Sequence, residues 1–422
     1  MSKNKEYITV IDIGSANVRT IIAQIVEEEK PRVIGVGVAA NGGMRRGMVT
    51  ERDEVSEAIK QSVEMAELSS GVEVESAYVS VGGVDLEFQK VNGIVAVGRA
   101  DSEVSESDVD RAIEASRAIN IPPNKEIIYT IAQSFKLDDQ EGIKDPVGMV
   151  GVRLEMQGIV ILASSSNIKN ITKCLQDNDI EMDGVIAAPI AAVESALSKR
   201  QKELGSVLID FGAGVTSMIV YEEQEIVDIK IIPIGMGLVT NDIAIGLRTS
   251  VDVAEKVKLQ YGSSLPKDIN KDDKINLSEI DENEEGIVSR YHVAEIIEAR
   301  MEEILYLVEE ELKKINRSAL LPAGAILTGG GAYVHGVVDL TKEILMLPAQ
   351  IGFPGELSGL VDKIDGPEFN VAVGMLLWSL EKDVEFFGDN DGDSKKKDSK
   401  KHFKLLNGLF EKISGWVKKF LP

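Results

Sequence analysis

The 422-residue chain holds one cysteine, three histidines, few aromatics and no excess of positive charge, and each shortage removes a class of function. Cys174 alone builds no internal disulfide framework, which fits a reducing compartment. It lies in the amphipathic run Ile171-Thr172-Lys173-Cys174-Leu175 and reads as a buried structural thiol. His292, His335 and His402 share no metal-ligand spacing, so no zinc site is expected. A formal net charge of −24 argues against a nucleic-acid partner, because phosphate contacts need a basic face. No apolar run reaches the roughly 18 residues of a spanning helix. The chain leads directly to a strand near Tyr7 with no signal-peptide pattern, so a cytosolic body is expected.

What the sequence does have is a repeat. Val10-Ile11-Asp12-Ile13-Gly14-Ser15-Ala16-Asn17-Val18-Arg19-Thr20 is echoed by Leu208-Ile209-Asp210-Phe211-Gly212-Ala213-Gly214-Val215-Thr216. Each copy is an apolar strand ending in Asp-x-Gly, a small-residue turn and a second strand. A carboxylate closing a buried strand is costly without a partner. Mg²⁺ on a nucleotide suits it, since that ion combines one or two carboxylates with phosphates and waters. Gly14, Gly212 and Gly214 allow close backbone approach, where successive N–H groups can cradle phosphate. Ser15 adds a hydroxyl and Arg19 a cation on the same turn. One copy alone would read as a hairpin turn; two copies 198 residues apart point to two lobes clamping one ligand.

Length also calls for two lobes or more, and alternating strand and helix patterns suggest α/β architecture. Strands are expected at 8–13, 20–26 and 33–39, and a helix at 51–68 with Val55, Ile59, Val63 and Ala66 on one face. Between them lies the basic, glycine-flanked loop Gly42-Gly43-Met44-Arg45-Arg46-Gly47-Met48-Val49. Residues 86–162 read as a strand–helix–strand insertion whose helix, at 107–120, opens on the capping residues Ser105 to Asp108. An acidic helix spans 292–315. Thr328-Gly329-Gly330-Gly331 then turns from a strand into a helical run at 334–345. Lone features such as Trp378 read as core. Residues 388–401 contain no apolar side chain and read as a flexible tether.

The order and spacing of Asp12 to Arg19, Asp210 to Thr216 and Thr328 to Gly336 resemble the two phosphate motifs and the adenosine motif of the actin-like ATPase superfamily. Residues 185–192 look like its first connecting helix. The resemblance implies ATP with Mg²⁺. Asp12 and Asp210 would lie near the metal, acting through its waters. Gly14, Ser15, Ala16, Arg19, Gly212, Gly214 and Val215 would line the phosphates, Glu255 and Lys258 would flank the ribose, and Gly329, Gly330, Gly331 and Val334 would pack on adenosine. Two departures stand out: Ala188 replaces the Glu or Gln that often precedes the connecting-helix proline, and Ala213 replaces an acid of the second loop. Both weaken the positioning of an attacking water, so hydrolysis is expected to be slow or absent.

Within that superfamily the chain resembles the FtsA family of bacterial cell-division proteins, on the loop 43–47, the insertion and the tail. The implied fold is an actin-like α/β structure of two ribonuclease-H-like halves. Residues 1–85 and 163–203 form the first lobe, 86–162 the inserted α+β subdomain, 204–247 and 322–383 the second lobe, and 248–321 its helical subdomain. A linker (384–401) and an amphipathic helix (402–422) complete it. In that last segment Phe403, Leu406, Leu409, Phe410, Ile413, Trp416, Val417 and Phe420 fall on one helical stripe, with Lys404, Lys412, Lys418 and Lys419 largely off it. From Lys395 onward the net charge is +7, leaving −31 on the body. A stripe of this kind suits a helix lying on anionic lipid; the other reading is a helix docked on its own body or on a protein. A single interfacial helix binds reversibly, and self-association would supply the multivalency that makes attachment stable.

The family resemblance further implies an adaptor tethering the FtsZ filament to the cytoplasmic face of the membrane at the division site. The second-lobe helical subdomain would take the FtsZ C-terminal peptide, and residues 86–162 would take later division proteins. Arg300 is the one cation in the run 293–303 and would meet an acidic peptide, or else pair with Glu298 or Glu303 one turn away. The competing reading is an active ATPase or kinase whose tail docks a protein. A weaker one is a pilus-assembly relative, a group that generally lacks such a tail.

Overall fold

The computed structural model describes residues 7–25, 30–98, 101–355 and 357–381. The expected linker (384–401) and the expected helix (402–422), with every tail residue named above, lie outside the described residues.

The sequence repeat is a repeat of topology. Tyr7–Ile13 pairs antiparallel with Asn17–Gln24, setting Asp12 opposite Arg19, and parallel with Ser76–Val81. Ser206–Phe211 pairs antiparallel with Thr216–Glu222, setting Asp210 opposite Ser217, and parallel with Gly324–Thr328. The two hairpin turns share a local constraint. A Cβ on Gly14 would lie 2.8 Å from the Asn17 carbonyl oxygen, and one on Gly212 would lie 2.8 Å from that of Val215. Both turns therefore need glycine for the same steric reason. Their sheets have six and five strands among the described residues, and Ile8 to Ile13 and Val207 to Phe211 are apolar apart from Thr9 and the two aspartates because helices cover the sheets.

Helix Arg52–Ser70 buries Val55, Ile59, Val63 and Ala66 as the spacing predicted. Helices Ala188–Ala196 and Asn370–Glu381 connect the lobes and cross in backbone contact at Gly374, where an added Cβ would meet the Ala191 oxygen at 1.7 Å. One hydrophobic core runs from the first lobe through these helices to Ile219, Tyr221 and Ile326 of the second sheet. Trp378 and Cys174 are buried in it, and burial pushes the pKa of the Cys174 thiol up to about 11.

The insertion is a four-stranded antiparallel sheet built from Glu87–Ala96, Arg153–Ser164, Lys125–Leu137 and Gln140–Ile143. Helix Glu106–Ser116 packs on it, with Gly93 leaving room for the Ala112 carbonyl. It touches both lobes: the Ala187 N–H donates to the Tyr129 hydroxyl at 3.1 Å, and Gln133 Nε2 donates to the Ile226 carbonyl at 3.0 Å. In the second lobe, helix Met236–Leu247 packs against helices Val251–Tyr261 and Arg290–Lys314.

Several local expectations are corrected. The insertion helix stops at Ser116, short of 120, where the Arg117 and Ala118 N–H groups donate to the Glu114 and Ala115 carbonyls and tighten the chain into 3₁₀-type turns ahead of Pro122 and Pro123. Residues 185–187 are not helical; they close strand Glu181–Ala187, and the connecting helix starts at Ala188 with Pro189 in its first turn. Residues 42–49 contain a small hairpin, Met44–Arg45 against Met48–Val49. The run at 334–345 is broken: a 3₁₀ turn at Gly330–Tyr333 precedes helix Val337–Leu345, with Gly336 at φ +84° between them.

Candidate functional site

A cavity of about 540 Å³ opens between the lobes, and every cleft residue proposed from the sequence lines it: Asp12, Gly14, Ser15, Ala16, Arg19, Asp210, Gly212, Gly214, Val215, Glu255, Lys258, Gly329, Gly330, Gly331 and Val334. The two hairpins approach each other closely, since a Cβ on Gly214 would sit 2.5 Å from Ser15 Oγ. Ser15 is itself positioned by the Gly47 N–H, which donates to its hydroxyl at 3.1 Å.

The floor of the cavity is two strand-end carboxylates in one electrostatic field. Asp12 accepts from the Ser80 hydroxyl at 2.8 Å and lies 3.9 Å from an Arg19 guanidinium nitrogen. Burial nevertheless raises its pKa, against the pull of Arg19 and Ser80. The pKa of Asp210 is pushed up to about 7 by burial first and by the Asp12 charge second, with Arg19 opposing. Arg19 also lies 5.5 Å from the Phe369 ring centroid, and its buried Nε has no hydrogen-bond partner among the described residues. Two desolvated carboxylates beside one cation form a site short of positive charge. That donor set fits a hydrated divalent ion better than it fits a proton relay.

Strand register places the third motif. Thr328 pairs with Asp210, so Gly329 follows directly beside it; at φ +78°, a Cβ there would lie 2.1 Å from Asp210 Oδ1. A Cβ on Gly331 would meet Phe211 Cβ at 2.5 Å, so the glycine backbone lies close against the strand end, while Gly330 faces open space in the cavity. On the facing helix, Lys258 Nζ donates to Glu255 Oε2 at 2.6 Å and to the Thr240 hydroxyl at 2.9 Å. The glycine turn is tied to the connecting helix by Asn370, whose Nδ2 donates to Thr328 Oγ1 at 2.6 Å and to the Gly352 carbonyl at 2.7 Å.

Ala188 and Ala213 also line the cavity, and their methyl groups can orient no water. Ser80, Gly47, Met236, Arg290, Tyr333, His335 and Glu368 line it too and were not anticipated. Ser80 carried a signal in hindsight, as a hydroxyl inside the apolar strand Ser76–Val81. The others come from segments far apart in sequence. Arg300 lies elsewhere: its Nε and Nη2 donate to Asp242 at 2.6 and 3.1 Å, and its Nη1 reaches Glu303. The one-turn pairing with Glu303 is therefore present, together with a stronger partner that the sequence did not suggest.

Known proteins agree with this architecture. Residues 207–374 match the family model for cell division protein FtsA, and residues 83–162 match the model for the SHS2 domain inserted in FtsA. The cell division protein FtsA of Pseudomonas aeruginosa is 33% identical over 372 residues, covering 88% of this chain and 89% of that one. That of Borreliella burgdorferi is 32% identical over 420 residues, covering 99% of each. Among solved structures, a PilM–PilN type IV pilus biogenesis complex matches at a TM-score of 0.65 with 17% identity, covering 89% of this chain and 99% of that chain. MreB5 of Spiroplasma citri bound to AMPPNP matches at 0.52 with 13% identity, covering 90% and 97%. The structural matches establish the actin-like fold, and the sequence matches separate the chain from the pilus proteins.

Proposed function

The chain belongs to the FtsA family of cell division proteins, and from that premise we infer that it is an ATP-binding, self-associating adaptor that ties the FtsZ ring to the cytoplasmic face of the cell membrane. The observation that carries the nucleotide part is the convergence of three sequence motifs, separated by up to 316 residues, on one cavity of about 540 Å³. Mg²⁺, held through waters by Asp12 and Asp210, would neutralise the phosphates. The Gly14 and Gly212 turns would face them with backbone N–H groups, and Glu255 with Lys258 would orient the ribose. With alanine at 188 and 213, the nucleotide braces two lobes and turnover is slow.

The tail supports the membrane part by its composition, an apolar stripe within a segment of net charge +7. A body of −31 would be repelled by the same lipid, leaving the tail as the adhesive element. Among the described residues no helix is long and apolar enough to cross a membrane. An acidic FtsZ peptide would reach Arg300 by displacing Glu303 from Nη1 while Asp242 keeps the guanidinium in place. Later division proteins would meet residues 86–162. Co-sedimentation with anionic liposomes, for the full chain and for the chain lacking 402–422, tests the anchoring; equal binding by both would sink it. Single-turnover hydrolysis that is fast and abolished in Asp210→Ala would instead favour an active ATPase.

A further inference from the structure

The basic hairpin at residues 44–49 has no part in the function proposed above, yet it is wedged against both phosphate turns. Arg46 and Gly47 form its two-residue turn, both with positive φ, +51° and +74°. The Gly47 N–H holds Ser15 of the first turn at 3.1 Å. Arg46 Cα lies 3.1 Å from where a Cβ on Gly214 of the second turn would be. The Arg46 carbonyl accepts from the Val84 N–H at 3.2 Å, and Gly47 abuts Gly83, so the turn is also anchored at the root of the insertion. A β-turn of this type with arginine at its first position costs strain that asparagine or glycine would avoid.

Charge accounting shows what that arginine could do. The cations lining the cavity are each opposed by an acid of this chain: Arg19 by Asp12 at 3.9 Å, Lys258 by Glu255 at 2.6 Å and Arg290 by Asp273 at 3.7 Å. The phosphate end therefore offers N–H groups, two carboxylates and a single guanidinium, Arg19, whose charge is already shared with Asp12. Arg46 is exposed beside that end, just outside the cavity lining, and has no ion pair or hydrogen bond from its side chain among the described residues. The geometry points to Arg46 as a terminal-phosphate sensor, a guanidinium that folds over the cleft mouth onto the last phosphate of a nucleoside triphosphate and finds nothing to hold in a diphosphate. This rests on the nucleotide reading above. A planar fork of donors suits a phosphate's oxygens, and a turn bonded to Ser15 and seated against Gly214 holds its backbone beside both phosphate turns.

The test is calorimetric titration of the full chain with Mg-ATP and Mg-ADP, for the parent, Arg46→Ala, Arg46→Gly, Arg46→Lys and Arg45→Ala. We expect the parent to prefer ATP. Arg46→Ala and Arg46→Gly should lose roughly ten-fold or more in ATP affinity, with ADP affinity unchanged. Arg46→Lys should recover part of the loss, and Arg45→Ala should match the parent. Arg46→Gly relieves the backbone strain, so a folding defect cannot account for its loss. A parent ATP/ADP ratio that survives in Arg46→Ala and Arg46→Gly overturns the inference alone, as does a parent with no preference. A parent that binds neither nucleotide overturns the nucleotide reading and this inference with it.

Discussion

Replacing Asp210 by asparagine should stabilise the nucleotide-free protein while abolishing its response to nucleotide. The carboxyl pKa is raised to about 7, chiefly by burial and then by Asp12. A folded pKa above the unfolded one means that the folded state keeps a proton the unfolded state has lost. The stability this confers is fully present below about pH 4 and is lost as pH rises through about 7. Roughly three units at about 1.36 kcal/mol each set a ceiling of about 4 kcal/mol on the penalty of the charged form. Coupling to Asp12 means that part of this belongs to the pair. An asparagine side chain cannot ionise, so at pH 8 the Asp210→Asn variant should be more stable than the parent by about 2–4 kcal/mol, a Tm several degrees higher. At pH 4 the two should melt together. Mg-ATP should raise the parent's Tm at pH 8 and leave the variant's nearly unchanged. Scanning calorimetry at both pH values, with and without Mg-ATP, reads all four quantities. A variant that melts at or below the parent at pH 8 would refute the electrostatic reasoning.

Gly329→Ala places a methyl 2.1 Å from Asp210 Oδ1 at φ +78°; it should cost about 1–3 kcal/mol in melts and remove nucleotide binding in titration calorimetry. Gly374→Val drives a side chain into the Ala191 carbonyl where the connecting helices cross, and a loss of at least about 1–3 kcal/mol in urea unfolding is expected. Asp108, nearly fully buried, is held well below the usual carboxylate range, first by the Ser105 hydroxyl, with Ser105 and Gly98 N–H groups and Arg111 assisting against burial. Its contribution is present above about pH 4 and lost as pH falls below that; Asp108→Ala should cost about 1–2 kcal/mol at pH 7 and flatten the acid limb of a circular-dichroism pH titration.

The cleft was legible in the sequence because its motifs are local. An Asp at a strand end and a glycine whose Cβ would strike the carbonyl three residues on are constraints within one hairpin, so Asp12 to Arg19 and Asp210 to Val215 could be read off consecutive residues. Some of the readings that failed depended on partners elsewhere. Residues 185–187 became strand because Ser76–Val81 offered a parallel edge, and Arg300 was committed by Asp242, 58 residues away.

By itself, the sequence determined the two-lobed repeat, the insertion and the residue types of the cleft, since periodicity, glycine sterics and charge all act at short range along the chain. Only the tertiary structure decided which charges are already balanced. It set Arg19 on Asp12, Lys258 on Glu255 and Arg300 on Asp242, and left Arg46 without a partner among the described residues beside the phosphate turns. Pairing depends on distance through space and on desolvation, and both are properties of the packed lobes.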